Sequence, residues 1–106
     1  MADKTINIIK WDSNVDGKLN DTNMEKKLEC MGYRSTKYEF PPGMDFPNHT
    51  HNMTKMDAIT TGKFFVSMHG QELVMEPGDI VEVPKGVVHN AHVIGSESVT
   101  FFDSTR

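Results

Sequence analysis

Residues 43–62, GMDFPNHTHNMTKMDAITTG, place two histidines two positions apart, at His49 and His51. A β-strand directs residues i and i+2 to the same face, so both imidazoles can converge on one point. A second segment, residues 78–89, is GDIVEVPKGVVH and ends in His89 just after a Pro-x-Gly corner. This third histidine meets the other two only if the chain folds back into a closed or sandwiched sheet. Three convergent imidazoles with room for water are what a catalytic type of metal site requires.

The two segments resemble the paired sequence motifs of the cupin superfamily. The first motif, G-x5-H-x-H-x3-4-E-x6-G, covers residues 43–62, with Lys55 where the family usually has a metal-binding glutamate. The second motif, G-x5-P-x-G-x2-H-x3-N, covers residues 78–93, with Val93 in place of the final asparagine. The resemblance implies an all-β fold, the cupin double-stranded β-helix or jelly-roll barrel. It leaves the activity open, because cupins include dioxygenases, isomerases, lyases, storage proteins and sugar sensors.

Composition indicates an ordinary globular chain. The sequence has 106 residues, a hydrophobic fraction of 37%, a formal net charge of −4 and no basic block. This length predicts a single domain, residues 1–106. Binding to nucleic acid is disfavoured because phosphate neutralisation dominates such affinity. With no apolar leader and no apolar run of about 18 residues, we expect no membrane span and a cytoplasmic location. The lone Cys30 fits a reducing compartment, and we expect it to be buried or half-buried.

One short N-terminal helix is predicted after a polar loop at residues 11–20. Thr22 and Glu25 form a capping box, because the threonine side chain can accept from an amide three residues on while the glutamate reaches back. We therefore expect a helix at about residues 23–30 and a C-terminal stop at Gly32.

Short apolar runs separated by glycine and proline turns predict a barrel or sandwich of β-strands. His69-Gly70 lies between two such runs and predicts a tight hairpin turn. The predicted strands lie near residues 5–9, 33–40, 46–51, 55–60, 63–68, 71–75, 80–83, 89–94 and 98–102.

The motif histidines, His49, His51 and His89, are the predicted metal ligands, since neutral imidazole is the commonest metal ligand in proteins. We expect one divalent transition metal per chain. Ligand type alone does not choose between iron, manganese, nickel, zinc and copper. His69 is expected to be a turn residue. His92 has the opposite strand parity to His89 and is expected to face outward.

Lys55 and Asp57 are the candidate catalytic residues, and three arrangements of them are open. An ammonium group close to a divalent cation is repelled by it. Asp57 shares a strand face with Lys55, so the carboxylate can pair with that ammonium. Alternatively, Asp57 replaces the missing glutamate as a fourth metal ligand, or a shift of strand register turns both side chains to solvent. A buried lysine beside a metal could also serve as a general base.

The end of the chain has a second resemblance, to small cupins that ketonise unsaturated uronates and carry Asp-x-Phe-x3-Arg in a tail lining the pocket. Phe102 and Arg106 match this spacing, and Thr100 stands at the aspartate position. Asp103 lies nearby, but strand alternation directs its side chain the other way from Thr100.

Two classes of function are open, with a third in which the histidines no longer bind anything. The first is a small-molecule metalloenzyme of dioxygenase, isomerase or lyase type, whose substrate binds inside an apolar barrel. The second is a non-catalytic module that binds or senses a small ligand or metal, with Lys55 replacing the usual glutamate. The apolar segment at residues 5–9 can pair with another chain as an edge strand, so we expect a homodimer.

Overall fold

The computed structural model describes residues 5–106. These residues form two short helices and nine strands. In chain order the elements are β1 (Ile8–Ile9), α1 (Ser13–Asp16), α2 (Asp21–Cys30), β2 (Arg34–Phe40), β3 (Asp45–His49), β4 (Lys55–Thr61), β5 (Lys63–Met68), β6 (Gln71–Met75), β7 (Ile80–Val83), β8 (His89–Ile94) and β9 (Val99–Thr105).

The strands form two sheets with antiparallel pairing. One sheet has five strands in the order β1-β7-β4-β9-β2, and the other has four in the order β3-β8-β5-β6. Apart from the β5–β6 hairpin, neighbours in a sheet are not consecutive in the chain, so the chain passes repeatedly from one sheet to the other. This is the jelly-roll arrangement, and it confirms the fold class that the motifs predicted.

The main core lies between the two sheets. Strand alternation turns every second side chain inward, so both sheets contribute apolar residues to one cluster. Its buried members are Phe40, Ile59, Phe64, Val66, Met68, Met75, Val81, Val83, Ala91, Val93, Val99 and Phe101.

A second core lies on the outer face of the five-stranded sheet, where α2 packs. Met24 and Leu28, one helical turn apart, are fully buried there. They contact the outward side chains of the central strands, including Ala58 of β4 and Phe102 of β9. The central strands therefore bury apolar residues on both faces. None of the helices in residues 5–106 is long and apolar enough to cross a membrane.

The helical region differs from the prediction in three ways. The cap of α2 is Asn20, not Thr22, because the Asn20 side chain accepts a hydrogen bond of 2.8 Å from the amide of Asn23. The expected loop at residues 11–20 contains α1. Cys30 is exposed rather than buried, because it lies two residues from Leu28, on the opposite side of the helix. The expected stop at Gly32 is confirmed by its φ of +89°.

Most strands lie close to the predicted positions, and the ends of the chain differ most. The strand expected at residues 5–9 is reduced to Ile8–Ile9, paired with β7 at the sheet edge. β9 extends to Thr105 because it pairs with β2 along its whole length. The hairpin at His69-Gly70 is confirmed, with φ of +58° and +71° at its two residues.

Candidate metal centre

The three predicted histidines come together at one end of the space between the sheets. His49 ends β3 and is the cross-strand partner of His89, which begins β8. His51 lies two residues beyond the end of β3. One ring nitrogen from each histidine lies within 4.8 Å of the others. Ring centroids are 4.1 Å apart for His49 and His89 and 5.0 Å apart for His51 and His89.

The position of His51 depends on the second motif, not on a continuous strand. The register of β3 against β8 shifts between Phe46 and His49, and the strand ends there. The loop that follows is held by backbone contacts: the Gly86 amide donates to the carbonyl oxygen of His51 at 2.9 Å. The Lys85 amide also donates to the Thr54 hydroxyl at 3.1 Å. The Pro-x-Gly corner therefore positions the second histidine of the first motif.

Two of the imidazoles are oriented by hydrogen bonds to backbone carbonyl groups two residues earlier in the chain. The Nδ1 atom of His49 lies 2.7 Å from the carbonyl oxygen of Pro47, and that of His89 lies 3.0 Å from the carbonyl oxygen of Val87. A carbonyl oxygen only accepts, so each Nδ1 carries the proton and donates it. The Nε2 lone pair of each ring is then free for a metal, which is the usual outer-shell arrangement of ligating histidines.

Burial and neighbouring positive charges favour the neutral forms of His51 and His89. Burial is the main cause that lowers the pKa of His51, followed by the nearby positive forms of His89 and Lys55. Burial is also the main cause that lowers the pKa of His89, and His49 acts in the same direction. Imidazole binds metals in its neutral form, so a lowered pKa extends the ligating form to lower pH.

The histidines open onto a cavity of about 260 Å³ between the sheets. This volume is close to the lower end of the range for small-molecule pockets, about 300–1,000 Å³. One part of the wall is polar and comprises the histidine cluster and two aspartates. The aromatic part of the wall comprises Tyr38, Phe40, Phe46, Phe64 and Phe101.

Lys55 pairs with Asp103 of β9. Its ammonium nitrogen lies 3.0 Å from the Asp103 carboxylate, and the two side chains are 16% and 29% exposed. Asp103 lies directly opposite Asp57 in the β4–β9 ladder, which makes Lys55 its diagonal neighbour on the same face. The lysine at the usual glutamate position thus has its charge neutralised by a residue that the two motifs do not contain.

Asp57 faces the cavity and is held beside Asp103. Its Oδ1 atom is buried and has no hydrogen-bond partner among the described residues. Burial is the main cause that raises the pKa of Asp57 well above its ordinary range. The Asp103 charge and a hydrogen bond with Asp103 raise it further, and only the Lys55 charge opposes them. The group of ligand atoms within 4.8 Å consists of the three histidines and does not include Asp57.

Asp103 lines the cavity, although neither sequence motif indicates it. Asp103 does face the other way from Thr100, as strand alternation predicted, but that is the face that lines the cavity together with Phe101. Thr100 instead bonds to the side chains of Thr61 and Glu39. Strand alternation could have identified Asp103, because it lies two residues after Phe101 and four after Val99, on the same inward face of β9. His92 stacks on Phe65 at 4.7 Å, outside the histidine cluster, as expected.

Comparison with known proteins gives the family and the fold. Residues 36–105 match the family described as "Cupin domain". No curated protein matches the chain. A cupin of Methanocaldococcus jannaschii, RmlC-like with a double-stranded β-helix fold, is 24% identical with a TM-score of 0.62, over 69% of this chain and 68% of that chain.

Two further solved structures are longer than this chain. The conserved protein SPY1581 of Streptococcus pyogenes, of unknown function, is 15% identical with a TM-score of 0.61, over 68% of this chain and 61% of that chain. The DMSP lyase DddQ of Ruegeria pomeroyi DSS-3 is 23% identical with a TM-score of 0.62, over 70% of this chain and 38% of that chain. The match therefore spans less than two thirds of either protein, and at these identities it concerns the fold alone. The chain belongs to the cupin family, and its barrel carries a three-histidine cluster that could bind a metal.

Proposed function

We propose that this cupin domain is a small-molecule metalloenzyme, of dioxygenase, isomerase or lyase type, that holds one divalent transition metal on His49, His51 and His89. The observation that carries the proposal is the convergence of three ring nitrogens within 4.8 Å at the wall of a cavity. Structural metal sites are usually closed by four protein ligands, whereas catalytic sites use three and leave a position open. Three imidazoles facing a cavity match the second type.

The residues present fit such a metal. Two of the three imidazoles have their Nδ1 atoms engaged by backbone carbonyls, which leaves Nε2 as the ligating atom. The ammonium of Lys55, which would repel a cation, is bound to Asp103 at 3.0 Å. Imidazole donors suit iron, nickel, copper and zinc, and manganese stays open. When bound, such a metal polarises a substrate oxygen as a Lewis acid.

The cavity supports a small substrate with both a polar and an apolar part. The aromatic wall, which includes Phe40, Phe64 and Phe101, excludes water and packs against carbon. The polar wall offers the histidine cluster and the Asp57–Asp103 pair to oxygen atoms. Among the relatives, the one named as a DMSP lyase supports keeping lyase chemistry open for this chain.

The test is metal content, followed by turnover. Protein freed of metal is reconstituted separately with iron(II), manganese, nickel, zinc and copper, and bound metal is measured by elemental mass spectrometry. We expect about one metal per chain in the wild type, a loss in His51→Ala, and no change in His92→Ala, the matched control on the outer face of β8. Equal metal content in wild type and His51→Ala, or none in either, would contradict the proposal.

A second candidate is a non-catalytic module that binds a small ligand or metal. The departures from the cupin motifs favour it, because Lys55 and Val93 stand where the family usually has a metal-binding glutamate and an asparagine. Screens of metal-loaded protein with small acids, sugars and phenols distinguish the two. Binding by calorimetry with no product by mass spectrometry would favour the module.

A further inference from the structure

We propose that Asp57 and Asp103 act together as the acid–base group of the cavity, and that the substrate is a small carbonyl compound that undergoes a proton shift. Lys55 is the positioning residue of this pair. The inference rests on the proposed function, since it assigns a reaction class to the same cavity. Asp57 and Asp103 line the same cavity as the histidines but are not members of the histidine cluster.

The pair is built by strand register. Asp57 of β4 and Asp103 of β9 are directly opposite each other in an antiparallel ladder. Both side chains line the cavity. Residues directly opposite on one face have Cβ atoms about 4.5–5.5 Å apart, and like charges there are destabilising. Two carboxyl groups so placed share one proton instead of both ionising.

The residues around the pair place the negative charge on Asp103 and the shared proton on Asp57. Lys55 lies 3.0 Å from Asp103 and compensates a negative charge there. Asp57 has no such partner, and burial raises its pKa well above the ordinary range. Because two opposed carboxyl groups share one proton, the pair consists of one carboxylic acid beside one lysine-bound carboxylate. This arrangement offers a proton donor and a proton acceptor side by side.

The neighbouring elements add little charge of their own. On β7, the residues opposite Asp57 and Lys55 are Val81 and Val83. On β2, Thr36 lies opposite Asp103. In the described part of the chain, the titratable groups lining the cavity besides the pair are Tyr38 and the three histidines. Lys55 is therefore the main charge that sets the balance of the pair.

One atom of the pair is left for a ligand. Asp57 Oδ1 is buried and has no hydrogen-bond partner among the described residues. A buried polar atom without a hydrogen-bond partner destabilises the folded state. A substrate oxygen or carbon acid in the cavity supplies that partner. The histidine cluster lines the same 260 Å³ space, so one small molecule reaches both groups.

The proposed step balances without an oxidant. The Asp103 carboxylate takes a proton from a carbon next to the substrate carbonyl, the electron pair of the broken C–H bond forms a C=C bond, and the π pair of the carbonyl moves to its oxygen to give an enolate. The Asp57 carboxylic acid gives its own proton to a different atom of the substrate, and Asp103 keeps the proton taken from carbon. The pair ends with one proton, as it began, and the product is an isomer of the substrate.

The test is hydrogen exchange in D₂O, read by proton NMR, with the metal-loaded protein. The probes are pyruvate, 2-oxobutyrate, phenylpyruvate and dihydroxyacetone, each measured against buffer alone. We expect wild type to catalyse exchange at the carbon next to the carbonyl, and Asp57→Asn and Asp103→Asn to lose at least about 100-fold of that rate. Asp45→Asn, on the exposed outer side of β3, is the matched control and keeps the rate.

Variants of Lys55 provide a second test, the pH profile of hydrogen exchange, which a purely structural role of Lys55 would leave unchanged. Its charge lowers the pKa of Asp57, so Lys55→Met moves the pH profile of exchange to higher pH, and Lys55→Arg restores it. No exchange by wild type above buffer, or equal exchange in Asp57→Asn, overturns the inference. Metal content is measured on every variant. A metal-loaded wild type that fails to exchange refutes the acid–base pair alone, whereas a chain that binds no metal refutes the proposed function.

Discussion

The amide of Gly86 donates a hydrogen bond of 2.9 Å to the carbonyl oxygen of His51. This bond joins the corner of the second motif to the loop of the first. His51 lies beyond the end of β3, so no ladder holds its side chain toward the other two histidines. The second motif therefore contributes to the three-histidine cluster twice: it supplies His89, and it holds the loop that carries His51.

Gly86→Ala is expected to weaken metal binding. Gly86 has a φ of +77°, and an L-residue in that region costs about 1–2 kcal/mol. The strain falls on the corner that holds His51. Gly95→Ala is the matched control, because Gly95 has a φ of +81° and open space around it. Both variants should lose similar stability in urea titrations, but only Gly86→Ala should lose metal affinity. Equal metal affinity in both would show that the corner does not position His51.

Asp57→Asn is expected to stabilise the protein increasingly as the pH rises. The folded pKa of Asp57 is raised above its ordinary value of 3.8, so the folded state holds a proton that the unfolded state has released. Wild-type stability therefore falls as pH rises from 3.8 toward the folded pKa, by about 1.4 kcal/mol for each unit of pKa difference. The neutral amide avoids this loss.

Urea titrations at several pH values test the Asp57 prediction. The stability difference between Asp57→Asn and wild type should be small below pH 3.8 and grow as the pH rises from 3.8 toward the folded pKa. Asp45→Asn controls for the loss of one negative charge from the chain. A difference that shrinks as the pH rises would contradict the buried, protonated state of Asp57.

Asn20→Ala is expected to destabilise the protein by about 1 kcal/mol, because it removes the cap of α2. Thr22→Ala is the informative control, since the sequence pattern alone names Thr22 as the cap. Thr22 lies inside the helix and is exposed, so its replacement should change the free energy of unfolding by less than about 0.5 kcal/mol. Chemical denaturation of the two variants decides between the caps.

The homodimer expected from the N-terminal segment remains a prediction. β1 is an edge strand, and Ile8 and Ile9 are exposed. Edge strands of this kind pair with other chains. The double variant Ile8→Asp, Ile9→Asp should be monomeric by light scattering. Val15→Asp, at an exposed position in α1, should leave the mass of the wild type unchanged. A wild-type mass of one chain would refute the dimer.

Local sequence patterns predicted the positions of most strands and turns, and they identified the three histidines as candidate ligands. The resemblance of residues 43–62 and 78–93 to the cupin motifs implied the barrel. The strands between the turns followed from local chemistry, because turn residues and alternating apolar residues act over a few neighbours. The His69-Gly70 turn followed from the same local chemistry. Strands β5 to β8 accordingly lie at the predicted residues.

Only the tertiary structure decided which polar side chains meet. Alternation placed Lys55 and Asp57 on one face of β4, but not the residue across from them. That residue is Asp103, 48 positions from Lys55. Asp103 lies opposite Asp57 because of the register between β4 and β9. That register is determined by the core of both sheets, because it buries apolar side chains on both faces of the central strands. Strand alternation determines the face on which a side chain lies, whereas the packing of the two sheets determines which side chains lie opposite it.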